Sequence, residues 1–399
     1  MNRQPFQTPP RAWQPQMTPW LVKLLRPMIN RTLTKSQRIT SVDVRGTEGL
    51  KRAIAEGRGV LVTPNHSFHY DAYVMIEAAH RVGRPFHFLT AWQVFAMSNR
   101  YERFVLQRHG CFSINREGVD SQAFKTSVDI LREGPHPLVI YPEGDIYHSN
   151  DRVTPFRDGA AAIAMSAAKK GPRPVVIVPA AVKSRYTQDP TPSLERLMGR
   201  LEESLHWRPR TGHPLHARIY QFAEGLLALK ELEYLGKSQN GTIVERVDRL
   251  KQTILADLET KHAIPNKGGI IPERVKEVRR TVIKAAESPD LDPDRKSQLA
   301  SDMEDLFFII QLFSYPGDYV AEKPSIERIA ETLDKFEEDV LRTVYPETRG
   351  ERHVTVLFGD PIEVPTEREG RDAVAAWTSR LESEVQTLLD RISNEYTPQ

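Results

Sequence analysis

The apolar run GVLVT (59–63) leads into Pro64–Asn65–His66–Ser67–Phe68–His69–Tyr70–Asp71. His66 and Asp71 stand five residues apart, where the chain leaves a short buried strand and enters a helix. That spacing lets the carboxylate fold back to hydrogen-bond one imidazole nitrogen. The other nitrogen can then take a proton from a bound hydroxyl, while Asp71 fixes the tautomer and stabilises the imidazolium that forms. No serine or cysteine nucleophile is needed if the substrate itself brings the hydroxyl. The plainer alternative is a polar helix cap beside a surface histidine.

Elements that could position this pair alternate along the chain from 41 to about 182. Helical spacing at 46–56, 70–82, 91–106, 119–132 and 159–170 is interleaved with short apolar runs at 59–63, 85–90, 110–114, 138–144 and 175–182. This pattern predicts an α/β fold, a mainly parallel sheet flanked by helices, with chemistry at the carboxyl ends of its strands. Arg116, Glu143 and Gly144 follow strand ends and fall on the same sheet edge as His66. Beyond Arg185 the pattern becomes largely helical: 192–205, 242–262, 273–287, 294–314, 325–344 and 371–394. ARIYQFAEG (217–225) reads as a further strand, and 352–364 as a late strand able to return to the first sheet. The Pro/Gly-rich joint at 264–272 is a candidate boundary. The expected organisation is a basic amphipathic membrane-interface segment (1–40), a catalytic domain (41–263) and a mostly helical C-terminal region (264–399). No internal repeat or long low-complexity tract stands out.

Hydrophobic residues make up 39% of the 399, enough for a folded core, so wholesale disorder is excluded. No apolar run approaches the ~18 residues needed to cross a bilayer, so no transmembrane helix is expected. The single cysteine, Cys111, excludes an internal disulfide and a multi-thiolate zinc site. The first 40 residues hold seven Lys and Arg and no Asp or Glu, on an otherwise mildly acidic chain. They also carry Trp13 and Trp20 beside Leu, Val, Met and Ile. Basic charge with tryptophan suits an anionic membrane surface, which predicts a peripheral protein on the cytoplasmic face. A helix packed on its own protein and an organelle transit peptide are the other readings of this arm.

The ordered set of strand ends resembles the glycerophospholipid acyltransferase family, which includes lysophosphatidic acid acyltransferases. Four blocks carry the resemblance: Asn65–His66–Ser67–Phe68–His69–Tyr70–Asp71, Phe112–Ser113–Ile114–Asn115–Arg116, Tyr141–Pro142–Glu143–Gly144 and Val178–Pro179. PFRDGAAAIA (155–164) is similar to the helix after the third block. The resemblance spans about 40–185, weakens toward 260 and says little of 265–399. It implies acyl transfer from acyl-CoA or acyl-carrier protein to the hydroxyl of a glycerophospholipid precursor such as 1-acyl-glycerol 3-phosphate. His66 would be the base and Asp71 its orienting partner. Phe112, Asn115, Arg116, Glu143 and Gly144 would bind the acceptor, with Arg116 on its phosphate. It implies no cofactor and no metal. One departure stands out: past Gly144, where the family commonly has Thr, Arg and Ser, this chain has Asp145–Ile146–Tyr147. Arg152 or Arg157 could substitute for the lost cation, and another lysophospholipid or lipid alcohol becomes a candidate acceptor.

Rival readings rest on other residues. A metal hydrolase would use His66, His69 and Asp71, but His80, His87 and His109 supply no further ligand at a regular spacing. Cys111 as an acyl-accepting nucleophile competes with simple core packing of a strand cysteine. A non-catalytic lipid-binding protein is opposed by the intact His66–Asp71 pair. Nucleic-acid binding is opposed by the acidic body, which lacks a basic stripe.

Overall fold

A computed structural model describes residues 7–395, apart from 119, 170, 267, 368, 369 and 371. The chain divides into two compact units, one of residues 9–189 with 350 onward and one centred on residues 190–349. The joint at 264–272 lies within the second.

Among the described residues the first unit is an α/β layer built on eight strands: β1 (Ile39–Arg45), β2 (Gly59–Pro64), β3 (His87–Ala91), β4 (Cys111–Ile114), β5 (Leu138–Val139), β6 (Val175–Tyr186), β7 (Arg352–Phe358) and β8 (Ile362–Glu363). Their order is β1-β7-β6-β2-β5-β3-β4, with β8 also on β6. Every pair is parallel except β7 and β8 against β6. The parallel set β6-β2-β5-β3-β4 therefore brings its carboxyl ends to one edge. The late strand does return to this sheet, slotting between β1 and β6 with Phe358 opposite Ala180.

Side chains explain the layering. Strand residues alternate faces. Val60, Val62, Val176 and Val178 join a core with the helix Asp71–Val82, while Leu61 and Ile177 join one on the other face with the helix Gly159–Lys169. Gly59 starts β2 where a Cβ would lie 2.0 Å from the Leu131 carbonyl oxygen, so only glycine lets helix Ser121–Glu133 end that close.

Several sequence expectations change in detail. The stretch 91–106 is two helices, Trp92–Met97 and Arg100–Arg108. They part at Ser98–Asn99 because the Asn99 side chain and Glu102 form a reciprocal capping box that starts a new helix. The run 138–144 keeps only Leu138 and Val139 in the ladder before leaving the sheet. The strand expected at 217–225 is wrong: these residues lie inside the helix Leu215–Leu235. Arg218, Ile219, Phe222 and Leu227 are its buried positions, a helical spacing that a short apolar run disguises.

In the second unit one device recurs. Glu202 takes two hydrogen bonds from Arg218 at 3.0 and 2.7 Å, Glu231 two from Arg246 at 2.9 and 2.7 Å, and Glu259 two from Arg274 at 2.8 and 2.7 Å. Each pair ties a helix to the next, and the three arginines follow one another at intervals of 28 residues. A repeat carried by two positions per turn of the pattern is invisible to composition or periodicity. Glu231 is fully buried, so Glu231→Ala should strand Arg246 and cost about 3–5 kcal/mol in urea unfolding. Glu231→Leu with Arg246→Met should recover most of that loss. A single-variant loss below about 1 kcal/mol would show that the staple is incidental.

Candidate active site

The site begins where β2 ends. Asn65 is wholly buried and continues the ladder with its side chain: Val182 N–H donates to its Oδ1 (2.7 Å), and its Nδ2 donates to Val182 O (3.0 Å). This clamp onto β6 aims the next residue, His66, off the sheet edge. Asp71, the first residue of its helix, is also fully buried. One of its oxygens accepts from Ser67 N–H (2.8 Å), Phe68 N–H (2.9 Å) and His66 Nδ1 (3.0 Å). The turn-capping role and the histidine-orienting role are thus the same carboxylate. With its proton on Nδ1 facing Asp71, His66 presents the Nε2 lone pair outward, and its side chain is 19% exposed.

Two further groups fix the ring. Tyr141 stacks on the imidazole, centroids 4.0 Å apart, so the histidine is held in plane as well as by its bond. Glu143 lies beneath, 2% exposed, and accepts from His66 N–H (2.6 Å) and Thr154 N–H (3.0 Å). Burial pushes its carboxyl up to about 8, against the opposing pull of those amides. Glu143 therefore holds the backbone of His66.

The remaining motif residues sort by position. Arg116 reaches the same turn, its Nη1 donating to Gly144 O at 2.7 Å. Gly144 sits at φ +76° with the Arg157 side chain where a Cβ would be. Asn115 braces its own loop: its side chain accepts from Glu117 N–H, and its N–H goes to Asp120. Phe112 is fully buried in the core with Leu131 and Leu138. His66, Asp71, Arg116, Glu143 and Gly144 are thus brought together, while Phe112 and Asn115 support them from behind. Sequence reasoning missed Tyr141 as the stacking partner of His66.

The rivals fare as follows. Cys111 is 6% exposed, and burial pushes its thiol up to about 12, against a weaker pull from Thr90, which leaves almost no thiolate at neutral pH. Cys111→Ser should keep the wild-type rate within about threefold, and chelation with EDTA should not inhibit. A hundredfold loss in either assay would return the cysteine or a metal to the mechanism. His69 packs against His148, ring centroids 5.7 Å apart. A cleft of 1060 Å³ opens where β1 and β7 end, lined by residues including Arg45, Arg58, Glu363 and Glu395. Two ion pairs lie in it, Arg45–Glu395 and Arg58–Glu363, and it contains none of the motif residues.

A comparison with curated proteins finds no significant match to the chain. The family model described as Acyltransferase matches residues 41–183, a span that runs from β1 into β6 and includes the His66–Asp71 pair, Arg116 and the Tyr141–Gly144 turn. Residues 41–183 of this chain are therefore similar to the acyltransferases that this family model describes.

Proposed function

We propose that the protein transfers a fatty acyl chain from a thioester, acyl-CoA or acyl-carrier protein, to the hydroxyl of a lysophospholipid-type acceptor. The observation that carries this reading is the His66–Asp71 bond at the edge of the sheet, with the imidazole stacked on Tyr141 of the turn that Arg116 also reaches. The acceptor hydroxyl gives its proton to Nε2 as its oxygen attacks the thioester carbonyl. The tetrahedral intermediate collapses, the C–S bond breaks, and the imidazolium returns the proton to the leaving sulfur. An ester and a free thiol result. The amides of His66, Ser67 and Phe68 are already committed to Glu143 and Asp71, so the oxyanion must draw its donors from elsewhere. Incubating purified protein with a labelled acyl thioester and lysophosphatidate, lysophosphatidylglycerol or monoacylglycerol tests the reading. Labelled ester in at least one arm is expected. Thioester hydrolysis alone in every arm would overturn it.

The same enzyme would work at the cytoplasmic face of an anionic membrane, as a peripheral protein. No helix among the described residues is long and apolar enough to cross one. Within the basic arm Trp13 is buried, stacked on Phe95, whereas Trp20 and Leu24 on the helix Pro19–Leu24 are 67% and 65% exposed. Met97, Tyr101 and Phe104 are exposed on the helices that follow β3, and the Tyr101 hydroxyl approaches Met28 of the arm. Lys23 and Arg31 are exposed alongside. Aromatic and aliphatic side chains ringed by cations match an anionic leaflet. Lys23→Gln with Arg31→Gln should weaken cosedimentation with anionic vesicles about 30-fold, at ~1 kcal/mol per charge, with little change on neutral vesicles. Equal binding by variant and wild type would place the membrane contact elsewhere.

A further inference from the structure

We propose that Gln386 and Glu382, on the C-terminal helix Ala373–Asn394, are positioning residues for the His66 base, acting through the loop 151–158 and the side chain of Glu143. The proposal rests on the acyl-transfer reading and adds to it residues that lie outside the matched span 41–183. The helix docks by its apolar side. Leu381 and Val385 join the core that holds Ile163, while Leu389 and Ile392 join the one that holds Ala181. Its polar residues at intervals of four share another side and meet the loop. Thr378 Oγ1 donates to Asp158 (2.8 Å), and Glu382 accepts from Phe156 N–H (2.8 Å). Gln386 accepts from Val153 N–H (2.9 Å) and donates to Asp151 O (3.0 Å).

The start of the loop is fixed separately. Asn150 is wholly buried and clamps Ser184 of β6 as Asn65 clamps Val182, taking Ser184 N–H (2.9 Å) and donating to Ser184 O (2.7 Å). Thr154 therefore lies between two amides that the helix holds, those of Val153 and Phe156. Its own N–H goes to Glu143 Oε2 at 3.0 Å, and Glu143 Oε1 takes His66 N–H at 2.6 Å. Three hydrogen bonds and the Val153–Thr154 peptide bond thus join Gln386 to the backbone of His66. Without Gln386, Val153 N–H and Asp151 O must find other partners, and the loop shifts to supply them. Thr154 N–H is then no longer aimed at Glu143, and His66 loses one support of its backbone. A displacement of about 1 Å at a reacting group costs on the order of 100-fold.

The test uses the full chain. Gln386→Met keeps the side-chain length and removes both polar atoms. It should lower kcat about 30–100-fold, with donor and acceptor KM changed less than about threefold. Gln386→Glu keeps an oxygen for Val153 N–H and should recover most of that loss. Ile392→Ala removes a buried side chain beyond the polar residues. It should lower the melting temperature yet hold kcat within about threefold, which separates positioning from stability. Glu143→Gln leaves one oxygen for two amides, so adding Gln386→Met to it should cost no more than the worse single change. Amide hydrogen exchange needs no substrate: Gln386→Met should speed exchange at Thr154 and at His66 about tenfold or more. Unchanged protection of the His66 amide, multiplied losses in the double variant, or an equal kcat loss in Ile392→Ala overturns the inference and leaves acyl transfer untouched. Lost His66 protection, with no ester formed by the wild type from any acceptor, overturns the acyl-transfer reading alone.

Discussion

His66→Ala should lower the rate of acyl transfer by ~10²–10⁴, the usual worth of a positioned general base. The expectation follows from how completely the ring is held. Asp71 fixes Nδ1 at 3.0 Å, Tyr141 covers one face at 4.0 Å, and Glu143 grips the backbone N–H at 2.6 Å. So much restraint on a residue 19% exposed serves orientation rather than packing. Acceptor and donor KM should change little, because the imidazole contributes to bond making and not to ground-state binding. The melting temperature should change little, since Asp71 keeps the Ser67 and Phe68 amides and Glu143 keeps the backbone N–H. A variant within tenfold of wild type would remove His66 from the chemistry.

Asp71→Asn should cost a comparable ~10²–10⁴ in kcat by a different route. The asparagine oxygen can still accept the Ser67 and Phe68 amides, now bonded at 2.8 and 2.9 Å. The same oxygen can also keep the His66 Nδ1 bond, but the neutral amide no longer supplies the charge that stabilises the imidazolium. The fold should survive with a near-normal melting temperature while activity falls. Asp71→Ala should differ: it strips two buried amides of their acceptor, each worth about 1–3 kcal/mol, and should lose stability as well. If Asp71→Asn kept full activity, the carboxylate would be only a turn cap.

The His66–Asp71 pair was legible because its physics is local. Five residues across a strand-to-helix turn are enough to bring His66 and Asp71 together, and all the partners of the bonding oxygen lie within that turn. β2 and β6 were legible for a similar reason, since a strand buried on both faces reads as an unbroken apolar run. What stayed hidden depends on long-range approach. Nothing in the string shows that Arg157 folds back over Gly144, because that needs the Pro142 carbonyl to capture its amide. Nor does it show that Glu143 turns under His66, 77 residues away in the chain. The helix at 217–225 reads as a strand from its short apolar run, because its helical face is completed by Arg218, which is buried through Glu202. The return of the late strand to the sheet was expected, but its place between β1 and β6 was not, since pairing across the whole helical unit leaves no local signature.

The central claim is that His66 takes the acceptor's proton as the thioester is cleaved. Simultaneous measurement of free thiol and of ester, with and without a lipid acceptor, for wild type and His66→Ala tests it most directly. One thiol per ester, both dependent on acceptor and both reduced at least ~100-fold in the variant, is the predicted result. Thiol release that ignores the acceptor, or ester formation unchanged by His66→Ala, would contradict it.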